Sequence, residues 1–307
     1  MERKLIKQGK GGFTIYLPKK WVDSKNLKEG EAVDVAEFEN GLFVSSESKK
    51  HKSCALTLDE EGRNDVKNIL THVYRRGFDK ISISGLDNKS FSIIEATIKE
   101  QLPGLEVTEH RDDTCVLESL SDPTDQKYEA LVRFLFFIIK ETQQIIIKDF
   151  ETNRLSRFKE IEERTRKHDR LVYLCRRILS KELYSHNAVL EWELLTFLMH
   201  IQHGHYYLYQ YASEEGVKRE AEVIVLLKEL ASYFDLFYNA YYKREISSVH
   251  KINSSKFKFQ LGECIDLLEK TKNPVVVSYI RELFRTIQIG SSPILAGLFD
   301  EKITSQA

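Results

Sequence analysis

Phe13-Thr14-Ile15-Tyr16-Leu17-Pro18-Lys19-Lys20-Trp21 is a β-branched and aromatic run cut off by a proline. The run reads as a strand. Pro18 ends it and suits the first turn of a helix, so Lys19 to Lys25 is expected to form one or two helical turns. Outward from there, Leu27-Lys28-Glu29-Gly30-Glu31 reads as a turn. Ala32 to Phe38, with Val33 and Val35 alternating, reads as a strand. Asn40-Gly41 is a hairpin signal, and Leu42-Phe43-Val44 is the returning strand. Residues 1–52 thus form a strand, a short helix and a β-hairpin. Some fifty residues with so few apolar positions bury little surface alone, so the module is expected to dimerise.

Its front is basic. Between residues 1 and 28, Arg3, Lys4, Lys7, Lys10, Lys19, Lys20, Lys25 and Lys28 stand against only Glu2 and Asp23, a local charge of +6. The whole chain carries −1, from 46 Lys and Arg against 47 Asp and Glu, so any attraction to nucleic acid is local. Phosphate-neutralising charge is where DNA affinity begins. Gly9, Gly11 and Gly12 would let backbone N–H groups approach phosphates closely. The competing reading is a short charged module with a solvated face, and composition alone does not choose between them.

Arg3-Lys4-Leu5-Ile6-Lys7-Gln8-Gly9, the Phe13–Trp21 run and Leu27–Glu31 together resemble the AbrB/SpoVT swapped-hairpin module over residues 2–46. The resemblance implies two chains interleaving their hairpins into one β-barrel. It also implies double-stranded DNA bound by Arg3, Lys4, Lys7, Lys10, Lys19 and Lys20. Some modules of that family serve as antitoxins or as dimerisation parts instead.

Residues 53–122 alternate between strand and helix. Ala55–Leu58 reads as a strand, and Asp59–Arg76 as a helix with Val66, Ile69, Leu70 and Val73 on one face. Gly77 is a C-cap, Ile81–Ile83 a strand, and Ser90–Gln101 a helix stopped by Pro103-Gly104. Leu105–Glu109 and Cys115–Leu120 form a closing hairpin. This βαβαββ pattern is a small α+β domain with no phosphate loop, and a spacer or packing role is expected of it.

From 125 to 290 the pattern is helical, with six helices near 126–152, 154–181, 187–213, 216–243, 245–271 and 274–290. Leu194, Leu198, Ile201, His205, Leu208 and Ala212 form an apolar stripe. Six antiparallel helices with short breaks are expected to pack as a pair of three-helix bundles, followed by a tail, residues 291–307, whose end is polar and loose.

The order of the three parts, and the stretch Glu160-Ile161-Glu162-Glu163-Arg164-Thr165-Arg166-Lys167-His168-Asp169-Arg170-Leu171, resemble the archaeal type of phosphate-uptake regulator, the PhoU family. This implies control of phosphate uptake through a transporter or a signalling protein. That family often holds multinuclear metal clusters on Glu/Asp-x-x-x-Asp pairs. Here Thr165 stands four residues before Asp169, and no such pair occurs in the six helices. Two readings of the histidines stay open. Glu162, Asp169, His200 and His203 could converge on zinc or iron; otherwise the helices form a plain bundle with no cofactor. His168 and His205 fall on apolar stripes and are expected to be hydrogen-bonded core residues. Phe134, Phe136, Phe137, Tyr206, Tyr207 and Tyr209 read as packing.

Cys54, Cys115, Cys175 and Cys264 form no CxxC pair and are expected to be reduced. The N-terminus lacks a signal-peptide pattern. Leu131 to Ile147, the most apolar run, is interrupted by Arg133, Lys140 and Glu141, so no membrane insertion is expected; a cytoplasmic location follows. No nucleophile, base and orienting group come together in sequence, so an enzyme is not expected. The leading expectation is a dimeric DNA-binding transcriptional or signalling regulator of phosphate uptake. The alternative is a non-DNA-binding adaptor that regulates a phosphate transporter or sensor kinase.

Overall fold

The computed structural model describes residues 3–9, 11–38, 41–46, 52–120, 128–181 and 188–304. Lys10 and Asn40 lie outside the described residues. The chain divides into two compact units, Met1–His51 and Lys52–Ala307.

In the first unit, β1 (Ile6–Gln8) and β2 (Gly12–Thr14) pair antiparallel, with Lys7 opposite Phe13. Gly9 takes the positive φ of +64° in the intervening turn, a conformation glycine adopts without a Cβ penalty. Pro18 caps α1 (Lys19–Ser24), its carbonyl accepting the N–H groups of Trp21 and Val22. β3 (Asp34–Phe38) and β4 (Gly41–Ser45) form the second antiparallel pair.

The second unit begins with the α+β segment. β5 (Ser53–Thr57) leads into α2 (Glu60–Asn64) and α3 (Val66–Arg75). The single helix expected over Asp59–Arg76 is therefore split at Asp65. Gly62 and Asn64 are poor helix formers, and Asp65 takes φ −102° and ψ +10°, outside the helical region. β6 (Lys80–Ser84), α4 (Asn88–Gln101), β7 (Leu105–Arg111) and β8 (Thr114–Ser119) follow. The strands lie in the order β5-β6-β8-β7, with β5 and β6 parallel and the rest antiparallel. A capping box between Asp87 and Ser90 starts α4. Ile81, Ile83, Cys115 and Leu117 share a core with Leu70, Tyr74, Ile94 and Ile98 of the two longer helices. Gly85 (φ +76°) is required by close approach, because a Cβ there would stand 2.4 Å from the Leu58 carbonyl oxygen.

The helices are α5 (Tyr128–Thr152), α6 (Phe158–Lys181), α7 (Ala188–Glu214) and α8 (Ala221–Tyr242). After them come α9 (Ile246–Ser254), α10 (Lys256–Lys258), a π-turn over Phe259–Glu263, α11 (Cys264–Leu268) and α12 (Pro274–Thr304). The expected fifth helix is broken where Ser254, Ser255 and Gly262 lower helix propensity. The last helix runs through Pro293, well beyond 290. Ile294 and Leu298 are buried in the same core as the earlier helices, which holds residues assigned to a tail in helical form. One continuous core runs from Val132 to Leu298, and α7 packs on α5, α6 and α12. Among the described residues the helical region is built around α7, and one core cluster spans both halves. Gly204 permits that closeness, since a Cβ would come within 2.7 Å of Leu283.

The α+β segment is fastened to α6. Arg177, fully buried, donates to Asp79 at 2.6 Å and to the Phe78 carbonyl at 2.7 Å. Lys181 pairs with the same carboxylate, and the Ser180 hydroxyl donates to the Arg75 carbonyl at 2.6 Å. The four cysteines are unbridged. Among the described residues no helix is long and apolar enough to cross a membrane.

Candidate functional site

The sequence points to a basic surface in the first unit. Arg3, Lys4, Lys7, Lys19 and Lys20 are all exposed. Lys7 lies within β1, Arg3 and Lys4 precede it, and Lys19 and Lys20 open α1. Lys4, Lys7, Lys19 and Lys20 make no ion pair with any described residue. Lys7 shares its face of the β1–β2 pair with Phe13, since directly opposed residues point the same way.

No described side chain between residues 3 and 46 is buried. Leu5, Phe13, Tyr16 and Leu42 are each 67–68% exposed, and Ile15 and Val35 about half exposed. Among the described residues, the two short hairpins and the six-residue helix bury none of their apolar side chains fully. That is the physical signature of a module whose core is incomplete within one chain.

In the helical region the structure brings together only two of the four residues considered for metal. His203 Nε2 lies 2.8 Å from Asp169 Oδ1. Glu162 instead pairs with Arg166 at 3.1 Å, one turn along the same helix. His200 is exposed and takes no part in the pair; partial burial, His203 and Arg176 together lower its pKa. Among the described residues no group of three or more His, Cys, Asp or Glu side chains is placed to hold a metal ion. Protein purified without chelators is expected to carry only substoichiometric zinc and iron by elemental analysis, and stoichiometric metal would contradict this.

A polar row crosses the bundle core instead. Gln202 donates to the hydroxyls of Thr142 (3.3 Å) and Thr165 (3.0 Å). Those hydroxyls in turn donate to the carbonyls of Ile138 and Ile161. Thr165, the position lacking an acid, is thus a core hydroxyl in a hydrogen-bond relay. His205 Nδ1 bonds the Ile201 carbonyl at 2.7 Å as expected of a core histidine. His168 differs: it is fully buried and neither ring nitrogen has a partner. Burial, with His203 nearby, takes its pKa down to about 3, and burial takes that of His205 down to about 4. Phe136 packs against five other aromatic rings, whereas Phe137 and Tyr207 are exposed.

Sequence reasoning passed over the arginines at the junction of α3, α6 and α7. Arg75 lies over the Tyr173 ring at 5.2 Å, and Arg176 over the Trp192 ring at 5.1 Å. The signal was present as two consecutive basic residues, Arg176-Arg177, inside the apolar stripe of Val172, Cys175 and Leu179. Arginines on a buried stripe require partners.

No family model, curated protein or solved structure matches the chain.

Proposed function

We propose that this chain is a DNA-binding transcriptional or signalling regulator, dimerising through residues 1–52. The observation that carries the reading is in the first unit: exposed basic residues stand beside exposed apolar ones in a module with no buried side chain among those described. A second copy covering Leu5, Phe13, Tyr16 and Leu42 would supply the missing core. It would also double the basic charge around a two-fold axis. The resemblance to AbrB/SpoVT modules supports DNA as the partner, and the resemblance to phosphate-uptake regulators supports phosphate uptake as the process controlled. The helical region would then meet a transporter or signalling protein.

The test uses the full chain. Light scattering is expected to give twice the 35.8 kDa chain mass, and Phe13→Asp to return it toward one chain. Replacing Lys4 and Lys7 with Ala is expected to weaken duplex binding by about tenfold or more, with a shallower salt dependence. Replacing Lys49 and Lys50, outside the segment of resemblance, should change little. A dimer with no affinity for any duplex would overturn the DNA reading and favour the adaptor.

A further inference from the structure

Arg75 and Arg176 have no carboxylate partner among the described residues. Arg75, in the last turn of α3, is half-buried; its Nε donates to the Thr71 carbonyl at 3.2 Å and its guanidinium faces the Tyr173 ring. Arg176 follows Tyr173 by three residues, so it stands on the same face of α6. It is only 4% exposed. Its Nη2 donates to the Thr196 hydroxyl on α7 at 2.6 Å, and its Nε is buried with no hydrogen-bond partner.

The nearby acids are engaged elsewhere. Asp79 is held by Arg177, Lys181 and the Lys52 backbone N–H, and Asp169 by His203. Burial, then the repulsion of Arg75, lowers the Arg176 pKa to about 10 against the opposing pull of Tyr173 and Asp169, still well above neutral. Two cations are therefore kept charged side by side. Facing aromatic rings offset only part of the cost of a desolvated guanidinium that has no ion-pair partner. The planar guanidinium presents paired donors that match the oxygens of a phosphate-type anion.

We propose that Arg75 and Arg176, with the Thr196 hydroxyl, form a binding site for a small tetrahedral oxyanion of the phosphate class at the junction of α3, α6 and α7. Arg75 is partly exposed, and the exposed His200 feels the Arg176 charge. The site links the α+β segment to the bundle, because its two arginines come from one of each. It does not depend on residues 1–52 binding DNA.

The probe is inorganic phosphate, titrated into the full chain at constant ionic strength and followed by calorimetry and by thermal unfolding. Saturable binding and a rise in Tm that follows the ligand-linkage relation are expected. Arg75→Met should weaken the affinity by about tenfold or more, and Arg176→Met at least as much. Should Arg176→Met not fold, Arg75→Met decides alone, since its side chain is half-exposed. Sulfate giving a comparable response would support a site for tetrahedral oxyanions. Lys228→Ala, at a surface ion pair with Glu151 on α5, should leave binding unchanged. The proposal is overturned if phosphate up to about 50 mM does nothing saturable. It is overturned equally if chloride stabilises as well as phosphate, or if Lys228→Ala costs as much as Arg75→Met.

Discussion

Asp79→Ala is expected to destabilise the unit spanning Lys52–Ala307 by about 3–5 kcal/mol, the cost of leaving a buried charge without its partner. Arg177 is 1% exposed at its side chain and Asp79 7%, so water cannot replace the lost carboxylate. Burial pushes the Asp79 pKa up. The hydrogen bonds from Lys181 and the Lys52 backbone, with the charges of Lys181 and Arg177, outweigh that and hold it below its ordinary 3.8. The pair's contribution is therefore fully present above that value and is lost as pH falls through the lower native one. Trp21 lies in one unit and Trp192 in the other. Urea unfolding followed by fluorescence in a Trp21→Phe background thus reports the second unit alone. The double variant Asp79→Leu with Arg177→Met should regain most of the loss, because an apolar pair of similar volume avoids desolvating ions. A single-variant loss below about 1 kcal/mol would mean that the contact lies in a water-screened surface.

The second large effect is acid destabilisation through two core histidines. His168 and His205 have native pKa values pushed down to about 3 and about 4, from an ordinary 6.5, in both cases first by burial. Unfolding returns each to its ordinary value, so below 6.5 the unfolded chain binds protons that the native chain refuses. Stability then falls as pH drops from 6.5 toward the native values. Each histidine contributes a slope of up to about 1.4 kcal/mol per pH unit in that window. Between pH 6 and 5, His168→Gln or His205→Gln should flatten the urea-midpoint dependence by about one proton each, and the double variant by two. An unchanged slope in both variants would show that neither histidine is neutral and buried in the native state.

The period of the apolar residues was enough to place α5 to α8, because long amphipathic stretches bury one stripe and leave little choice of element. The hairpin of β3 and β4 followed from alternation and from Gly41. The break after α9 was less legible. Ser255 and Gly262 lower helix propensity without forbidding a helix, and the π-turn there depends on packing against α12. α12 runs past the expected end at 290 because Ile294 and Leu298, buried in the core, hold the helix through Pro293. The buried histidines were visible as stripe residues, but a periodicity cannot tell a paired nitrogen from an unpaired one. The Arg177–Asp79 contact joins residues 98 apart, and Arg75 meets Tyr173 across a similar distance in sequence. Side-chain encounters of that range depend on how α3 docks on α6. Of the four residues spaced for a metal site, Asp169 and His203 pair, Glu162 pairs with Arg166 and His200 is exposed. Spacing places side chains on a face without saying which faces meet.

The central claim is that the full chain binds duplex DNA as a dimer through its basic first unit. The most direct measurement is the affinity of the intact protein for a genomic duplex across a salt series. Log affinity is expected to fall linearly with log salt concentration, by roughly 0.9 for each phosphate neutralised, and to shallow when Lys4 and Lys7 become Ala. No salt-dependent binding to any duplex, or an equal loss on replacing Lys49 and Lys50, would contradict it.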